Sequence, residues 1–137
     1  MSAFFHVTAR DHSAVILMSE LARFHAEDGY RSLQEIAKRM GLSDGYLEEI
    51  AAVLKKAGLI EARQGPKGGY RLARPPRDIS LEQILIALEG PVELVDCQTS
   101  SMCPVQDKCA SRRIWGTLQA SIQATLRNTN LAETIAV

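Results

Sequence analysis

Apolar residues in the first 60 positions recur every three or four residues, which is the spacing of one face of an α-helix. This spacing predicts three helices, over about residues 8–25, 33–40 and 44–57. Ser32 and Ser43 are suited to cap the second and third helices, because a serine hydroxyl can accept a hydrogen bond from an unpaired amide of the first turn. A glycine follows each helix and favours its termination: Gly29, Gly41 and Gly58.

The second and third helices are separated only by residues 41–43, and two helices joined by so short a turn are typical of a helix-turn-helix. Residues 60–64 and 70–73 alternate loosely between apolar and polar, which predicts two short strands around a glycine-rich turn. A helix-turn-helix followed by such a hairpin is a winged helix. The residues predicted to be buried in its central helices are Leu33, Ile36, Ala37, Met40, Leu47, Ile50, Ala51, Leu54 and Leu59.

The pattern divides the chain into three parts. Residues 1–90 make the winged helix-turn-helix domain, which includes a short helix after Ser80; residues 91–110 form a loop without periodicity; residues 111–137 form a helix and a tail. The last helix has one apolar side, formed by Ile114, Trp115, Leu118, Ile122 and Leu126. This side could pack on the core of its own chain, but a winged helix can close its own core, so a dimer interface is favoured. The predicted fold is mainly α with a small β-hairpin wing and a long C-terminal dimerisation helix.

Length and composition are those of an ordinary folded protein. The 137 residues are 46% apolar and 23% charged, which is enough for the core of one domain and unlike a disordered chain. The sequence has no secretory signal and no run of roughly 20 apolar residues, so we expect a cytoplasmic protein without a membrane partner. It has no phosphate-binding loop, paired catalytic carboxylates or nucleophile–base pair, which argues against an enzyme and against a small-molecule substrate.

Positive charge is concentrated on the predicted hairpin, although the net charge of the chain is zero. Between residues 55 and 77 there are seven lysines and arginines and one acidic residue, Glu61, which gives a local charge of +6. A basic hairpin can follow a phosphate backbone and enter a minor groove. The alternative is an ordinary solvated turn, but the position of the hairpin directly after a helix-turn-helix favours DNA binding.

The candidate DNA contacts fall in two places. In the helix-turn-helix they are Ser43, Tyr46 and Glu48, and in the hairpin they are Arg63, Gln64, Gly65, Lys67 and Arg71. Glu48 can accept a hydrogen bond from the amino group of a cytosine, or it can be a helix charge that faces solvent. Both interpretations of Glu48 stay open at the level of sequence.

All three cysteines, Cys97, Cys103 and Cys109, lie in or at the end of the aperiodic loop, with five residues between neighbours. Thiolates are soft ligands that suit zinc, copper(I) and iron–sulfur clusters. Structural zinc usually takes close Cys-x2-Cys pairs, so the wider spacing fits a cluster better than a single ion. A cluster needs a further ligand, and reduced thiols without a metal are the competing interpretation. The candidates for that ligand are His12, Asp11, Asp96, Asp107 or an exogenous group.

Together these segments resemble a known family, the winged-helix iron–sulfur regulators typified by IscR, NsrR and RirA. The resemblance covers nearly the whole chain and rests chiefly on the hairpin Gly65-Pro-Lys-Gly-Gly-Tyr-Arg-Leu72 and on the Cys-x5-Cys-x5-Cys loop. It implies a homodimeric bacterial transcription factor that binds a palindromic double-stranded DNA operator. It also implies a 2Fe–2S or 4Fe–4S cluster held by Cys97, Cys103 and Cys109, followed by the dimerisation helix.

The chain departs from this family pattern at three positions. The IscR type has a ligating histidine three residues after the last cysteine, where this chain has Arg112, which cannot bind a metal. The NsrR type takes a carboxylate from the N-terminal helix of the partner protomer, and the matching residue here is His12, with Asp11 as the reserve. Gln64 stands where the family often has an arginine before the wing glycine.

The resulting hypothesis is a transcriptional regulator whose cluster state sets its DNA affinity, in response to redox state, nitric oxide or the supply of iron and clusters. One rival is a metal-free thiol switch on the same fold, in which the three cysteines form disulfides on oxidation. The other is a zinc-stabilised winged-helix module that binds a protein partner.

Overall fold

The computed structural model describes residues 6–27, 29–95 and 104–135. Within these ranges, two short 3-10 turns lie at Pro76–Asp78 and Gln106–Lys108. The elements are α1 (Ala9–Arg23), α2 (Leu33–Met40), α3 (Asp44–Lys56), β1 (Ile60–Arg63), β2 (Gly69–Leu72), α4 (Leu81–Glu89), α5 (Ala110–Asn128) and α6 (Ala132–Ile135). The predicted order of helix-turn-helix, hairpin and long C-terminal helix is confirmed.

Hydroxyl side chains cap the helices of the winged domain. Ser32 and Ser43 accept hydrogen bonds from backbone amides in the first turns of α2 and α3, as the sequence predicts. Thr8 and Ser80 form reciprocal capping boxes with Asp11 and Gln83 at the starts of α1 and α4. These caps fix the residue at which each helix begins, and the spacing of the apolar residues sets which face points inward.

One core joins α1, α2, α3 and α4 with the base of the hairpin. Its largest fully buried side chains are Leu17, Met18, Leu47, Ile50, Leu54, Ile79 and Ile84. The prediction for Met40 is wrong, because this residue is 39% exposed. Met40 is the last residue of α2, and Gly41 after it is left-handed at φ +71°, so the chain turns away before Met40 reaches the core.

The hairpin is antiparallel, and Ile60 pairs with Leu72 at its base while Arg63 pairs with Gly69 near its turn. The backbone before α2 extends this pairing, since Arg31 and Tyr70 exchange two hydrogen bonds of 2.8 Å. A side chain at Gly69 would place its Cβ 2.3 Å from the carbonyl oxygen of Arg31. Only glycine lets the two backbones approach so closely.

The end of α5 returns to the winged domain. The amide of Leu81 donates to the carbonyl of Thr129 at 2.8 Å, and Leu131 is 3% exposed within the common core. Arg127 near the end of α5 forms an ion pair with Glu82 on α4, at 3.2 Å. No helix in the described ranges is long and apolar enough to cross a bilayer.

Candidate nucleic-acid interface and cysteine site

Helix α3 turns an exposed polar side away from the core. Its apolar residues face inward, and Glu48 and Glu49 are exposed. Ser43 caps the helix by accepting a hydrogen bond from the amide of Tyr46 at 3.4 Å. Tyr46 is half-buried and packs against the core, so its side chain is only partly available to a ligand.

The turn of the hairpin presents a row of exposed residues: Arg63, Gln64, Gly65, Pro66 and Lys67. The amide of Gly68 closes the turn by donating to the carbonyl of Gly65 at 2.9 Å. A Cβ on Gly68 would lie 2.0 Å from the carbonyl oxygen of Arg63, so the turn requires glycine there. The glycines thus hold a tight tip whose positive charges face outward, in a form that can lie along a phosphate backbone.

Arg71 lies at the base of the hairpin rather than at its tip. Its guanidinium forms an ion pair with Glu61 on the facing strand, at 3.0 Å, and lies 4.6 Å from the centre of the Tyr30 ring. The Arg63 guanidinium lies 5.9 Å from the same ring. These contacts fix the hairpin against the segment before α2, and they partly neutralise the charge of Arg71.

A cleft of about 380 Å³ brings the two predicted DNA-contacting regions together. Glu48 of α3 and Gly65 of the turn both line it, although 17 positions separate them in sequence. Gln34 at the start of α2 lines the same cleft and is exposed. Sequence reasoning missed Gln34; the available signal was its place two residues after the Ser32 cap, where a first-turn side chain can face the hairpin.

Among the three cysteines, only Cys109 lies in the described part of the chain; Cys97, Cys103 and the candidate Asp96 lie outside the described residues. Cys109 is the N-cap of α5, and its sulfur accepts a hydrogen bond from the amide of Arg112 at 3.4 Å. A helix N-terminus carries positive partial charge, which favours nearby negative charge. Cys109 therefore offers one sulfur at a helix N-terminus, and it is the one candidate thiol ligand within the described ranges. Asp107 is exposed in the short turn just before it.

His12 is exposed on α1 and faces a largely apolar groove of about 520 Å³ between α1, α4 and α5. The α5 residues in this groove run from Ser121 to Leu126, so helix geometry puts them roughly 18 to 25 Å along the axis from Cys109. His12 and Cys109 of one chain are therefore too far apart to share a metal centre. Within the described ranges, no three His, Cys, Asp or Glu side chains come close enough to hold a metal ion.

Asp11, the neighbour of His12, is 5% exposed. One of its carboxylate oxygens accepts a hydrogen bond from the amide of Thr8 at 3.1 Å, which completes the cap of α1. The other, Oδ1, is buried and has no hydrogen-bond partner among the described residues. One carboxylate oxygen of Asp11 therefore stabilises the start of α1, and the other is available to a hydrogen-bond donor from outside the described residues.

Comparison with known proteins gives consistent matches over nearly the full chain. Residues 7–136 match the model of the family described as Rrf2, iron-dependent transcriptional regulator. The transcriptional regulator IscR of Photobacterium profundum is 33% identical, over 93% of this chain and 73% of its own length. The fold is similar to that of T. potens IscR, with a TM-score of 0.77 and 36% identity over 96% of this chain and 87% of that one. It is also similar to CymR, the global cysteine regulator of B. subtilis, with a TM-score of 0.79 and 30% identity over 96% and 97%.

Proposed function

The chain belongs to the Rrf2 family of winged-helix, DNA-binding transcriptional regulators, and on that premise we propose that it is an iron–sulfur cluster-dependent regulator acting as a homodimer in the cytoplasm. Its relatives are regulators rather than enzymes. The observation that supports the DNA-binding mode most directly is the cleft shared by α3 and the glycine turn.

In the proposed complex, α3 enters a major groove and the hairpin tip lies on the adjacent backbone or in the minor groove. Glu48 is the candidate for reading a base edge, and Ser43 and Tyr46 support the start of the helix. Arg63, Gln64, Gly65 and Lys67 are the candidates at the tip, because they are exposed there. Arg71 contributes mainly by holding the hairpin in place through Glu61 and Tyr30.

Helix α5 supports the proposal of a homodimer. It has 19 residues, and its amphipathic pattern is clear in the sequence, yet none of its side chains is buried in a single chain. Ile114 is 62% exposed and Leu118 is 40% exposed, and by helical spacing both lie on the same side of α5 as Ile122, which lines the apolar groove that contains His12. A second copy packed on this face would remove these side chains from water. Two-fold symmetry then predicts a palindromic operator with half-sites about one helical turn, or a multiple of it, apart.

In this proposal Cys97, Cys103 and Cys109 hold the cluster, and His12 of the partner protomer is the fourth ligand. Ligation across the dimer is favoured because His12 lies beside the half of α5 that is distant from its own Cys109. When bound, such a cluster supplies a centre that responds to electrons, oxygen, nitric oxide and the supply of iron. The amide of Arg112 donates a hydrogen bond to the Cys109 sulfur, and such a bond would orient this sulfur as a cluster ligand.

The coupling between cysteine loop and DNA is proposed to run through α5. Cys109 immediately precedes this helix, and the other end of the helix is attached to α4 by Arg127 and by the pairing of residues 129–131 with 79–81. A rearranged loop would therefore move α5 and change how the two winged domains of a dimer are placed. Regulation requires that the two arrangements differ in DNA affinity.

The test is purification under anaerobic conditions, followed by a visible absorption spectrum and by iron and sulfide counts per protomer. The proposal predicts a coloured protein that contains both elements. It predicts that replacement of Cys97, Cys103 and Cys109 together by alanine removes the colour and leaves a folded chain. Protein that stays colourless and free of iron after reconstitution would contradict the cluster.

A metal-free thiol switch is the second candidate, and it is favoured by the similarity to CymR, described as a global cysteine regulator. In that case the three cysteines respond to oxidation by forming disulfides. This candidate predicts colourless protein whose DNA affinity changes on oxidation and returns with a thiol reductant.

A further inference from the structure

A second cavity lies at one end of the apolar groove, between the start of α1 and the end of α4. It has a volume of about 360 Å³ and shares Val7 and Leu85 with the groove, so the two are continuous. Three carboxylates line it, from Asp11, Glu89 and Glu93. Since the groove is the proposed dimer face, this acidic cavity lies at the edge of that face.

The unpaired oxygen of Asp11 indicates that this cavity lacks one of its partners in the single chain. Asp11 is 5% exposed, and its Oδ1 has no hydrogen-bond partner in the described part of the chain. A buried carboxylate oxygen without a donor is costly, so native structures almost always supply one. Arg10, the nearest basic residue along α1, donates instead to the carbonyl of Leu88 at 2.9 Å.

The missing group is better explained by a side-chain cation than by a metal ion. Within the residues the structure describes, no three acidic, histidine or cysteine side chains converge closely enough to bind a metal. A guanidinium differs from a metal ion in this respect, because its planar set of donors can reach carboxylates that are spread along a cavity wall.

Exposed basic side chains at the start of α5 can supply the cation for the acidic cavity. Lys108 and Arg113 are exposed there, and Arg113 forms no ion pair within the described ranges. Its own α5 passes the cavity region further along, since Gln119 accepts a hydrogen bond from the amide of Leu94 at 3.0 Å. If the two-fold axis of the dimer is perpendicular to α5, the paired helices are antiparallel. The start of one α5 then lies beside the later half of the other.

We propose that the acidic cavity of each protomer binds the guanidinium of the partner's Arg113, with the partner's Lys108 nearby. This rests on the proposed homodimer and makes each cavity complete only in the assembled protein. The contact occurs twice per dimer. It places the residues next to the last cysteine of one chain against the start of α1 in the other, so formation of the dimer and the position of the cysteine loop are linked.

A charge exchange between two full-length variants tests the proposal. Glu89→Lys and Arg113→Glu each put like charges together at both contacts of a homodimer, and we expect each homodimer to dissociate ~10-fold more readily than wild type. In a 1:1 mixture, both contacts of the heterodimer regain opposite charges, so heterodimers should form with an affinity within ~3-fold of wild type. Native mass spectrometry and sedimentation measure both populations. Lys38→Glu, on an exposed face of α2, is the matched control and should leave the affinity unchanged.

The outcomes separate this inference from the proposed function. Preferred heterodimers support the contact between protomers. Recovery only in the Glu89→Lys/Arg113→Glu double variant, without recovery in the mixture, would mean an ion pair within one chain and would overturn the proposal. Unchanged homodimers in both single variants overturn it while leaving the dimer intact, and a monomeric wild-type protein overturns the proposed dimer as well. Asp11→Asn, which keeps the cap oxygen but removes the charge, should weaken the wild-type dimer ~3- to 10-fold.

Discussion

The backbone amide of Leu131 donates a hydrogen bond to the carbonyl of Ile79 at 3.0 Å, and both side chains are buried in the core of the winged domain. Leu131, three residues after the end of α5, thus packs where the hairpin leads into α4. This relationship ties the far end of α5 to the domain that carries α3 and the wing.

Replacing Leu131 should therefore weaken the whole fold. Leu131→Ala leaves a cavity in a shared core, and we expect the free energy of unfolding to fall by about 2–5 kcal/mol. Urea unfolding at one fixed protein concentration measures it, because a dimer's stability depends on concentration. Ile135→Ala is the control, since Ile135 is 41% exposed and its loss should cost less than about 0.5 kcal/mol. Equal effects of the two changes would mean that the C-terminal segment does not pack as described.

Gly69→Ala should distort the attachment of the wing. Its backbone has φ +140°, and a Cβ would meet the carbonyl of Arg31 at 2.3 Å, so we expect a loss of at least about 1–3 kcal/mol in the free energy of unfolding. Gly45→Ala is the matched control, because Gly45 lies inside α3 and the nearest atom to its Cβ is 3.9 Å away. Alanine there should be neutral or should stabilise the helix. If Gly69→Ala and Gly45→Ala both unfolded at the same urea concentration as wild type, the close approach of Gly69 to the Arg31 carbonyl would be contradicted.

Lys67→Ala should weaken the binding of all DNA sequences by a similar factor. If a dimer neutralises about six phosphates, log affinity falls with log salt at a slope near −5, and loss of two lysines per dimer should reduce it to about −3.5. Fluorescence anisotropy over a series of salt concentrations gives both slopes. Lys56→Ala is the control, because Lys56 is exposed at the last residue of α3, which leads into the base of the hairpin and not its tip. A wild-type affinity that does not respond to salt would remove the backbone-binding role of the wing.

His12→Ala should leave the protein folded and dimeric but change the visible spectrum of the cluster or shorten its lifetime in air. The reason is that a ligand from the partner protomer would be lost while the three thiolates remain. His25→Ala is the matched control, since His25 is also exposed but lies two residues beyond the opposite end of α1. Spectra and lifetimes equal to wild type in His12→Ala would assign the fourth position to another group.

The helices and the hairpin were predictable because each carries local signals. The serines at positions 32, 43 and 80 cap helices, and the apolar spacing of α3 matches its buried face. The error at Met40 arose because periodicity continues to the end of a helix, whereas burial depends on where the chain turns. Glu48 and the glycine turn, which line the cleft, also belong to segments with local signals. Their proximity to Gln34 was not predictable, because no sequence pattern links distant residues that meet on a surface.

Long-range contacts of single residues escaped sequence reasoning for the same reason. The return of Leu131 to the core follows a polar break at residues 128–130, and one isolated leucine gives no periodic signal. Glu20 is buried on α1 because it forms ion pairs with Arg23 and with Arg39 on α2, at 3.3 and 3.4 Å. A glutamate on a helix is ordinarily exposed, so this pairing had no sequence signature. Cys97 and Cys103 lie outside the described residues, and their role stays a prediction.

We propose above that the state of the cysteine site sets DNA affinity. The most direct measurement is the dissociation constant of one anaerobic preparation for a selected operator, at one salt concentration, before and after removal of the cluster. We expect the two dissociation constants to differ at least ~5-fold, which corresponds to the lower end of typical coupling between sites. Equal dissociation constants for the loaded and cluster-free protein would contradict it.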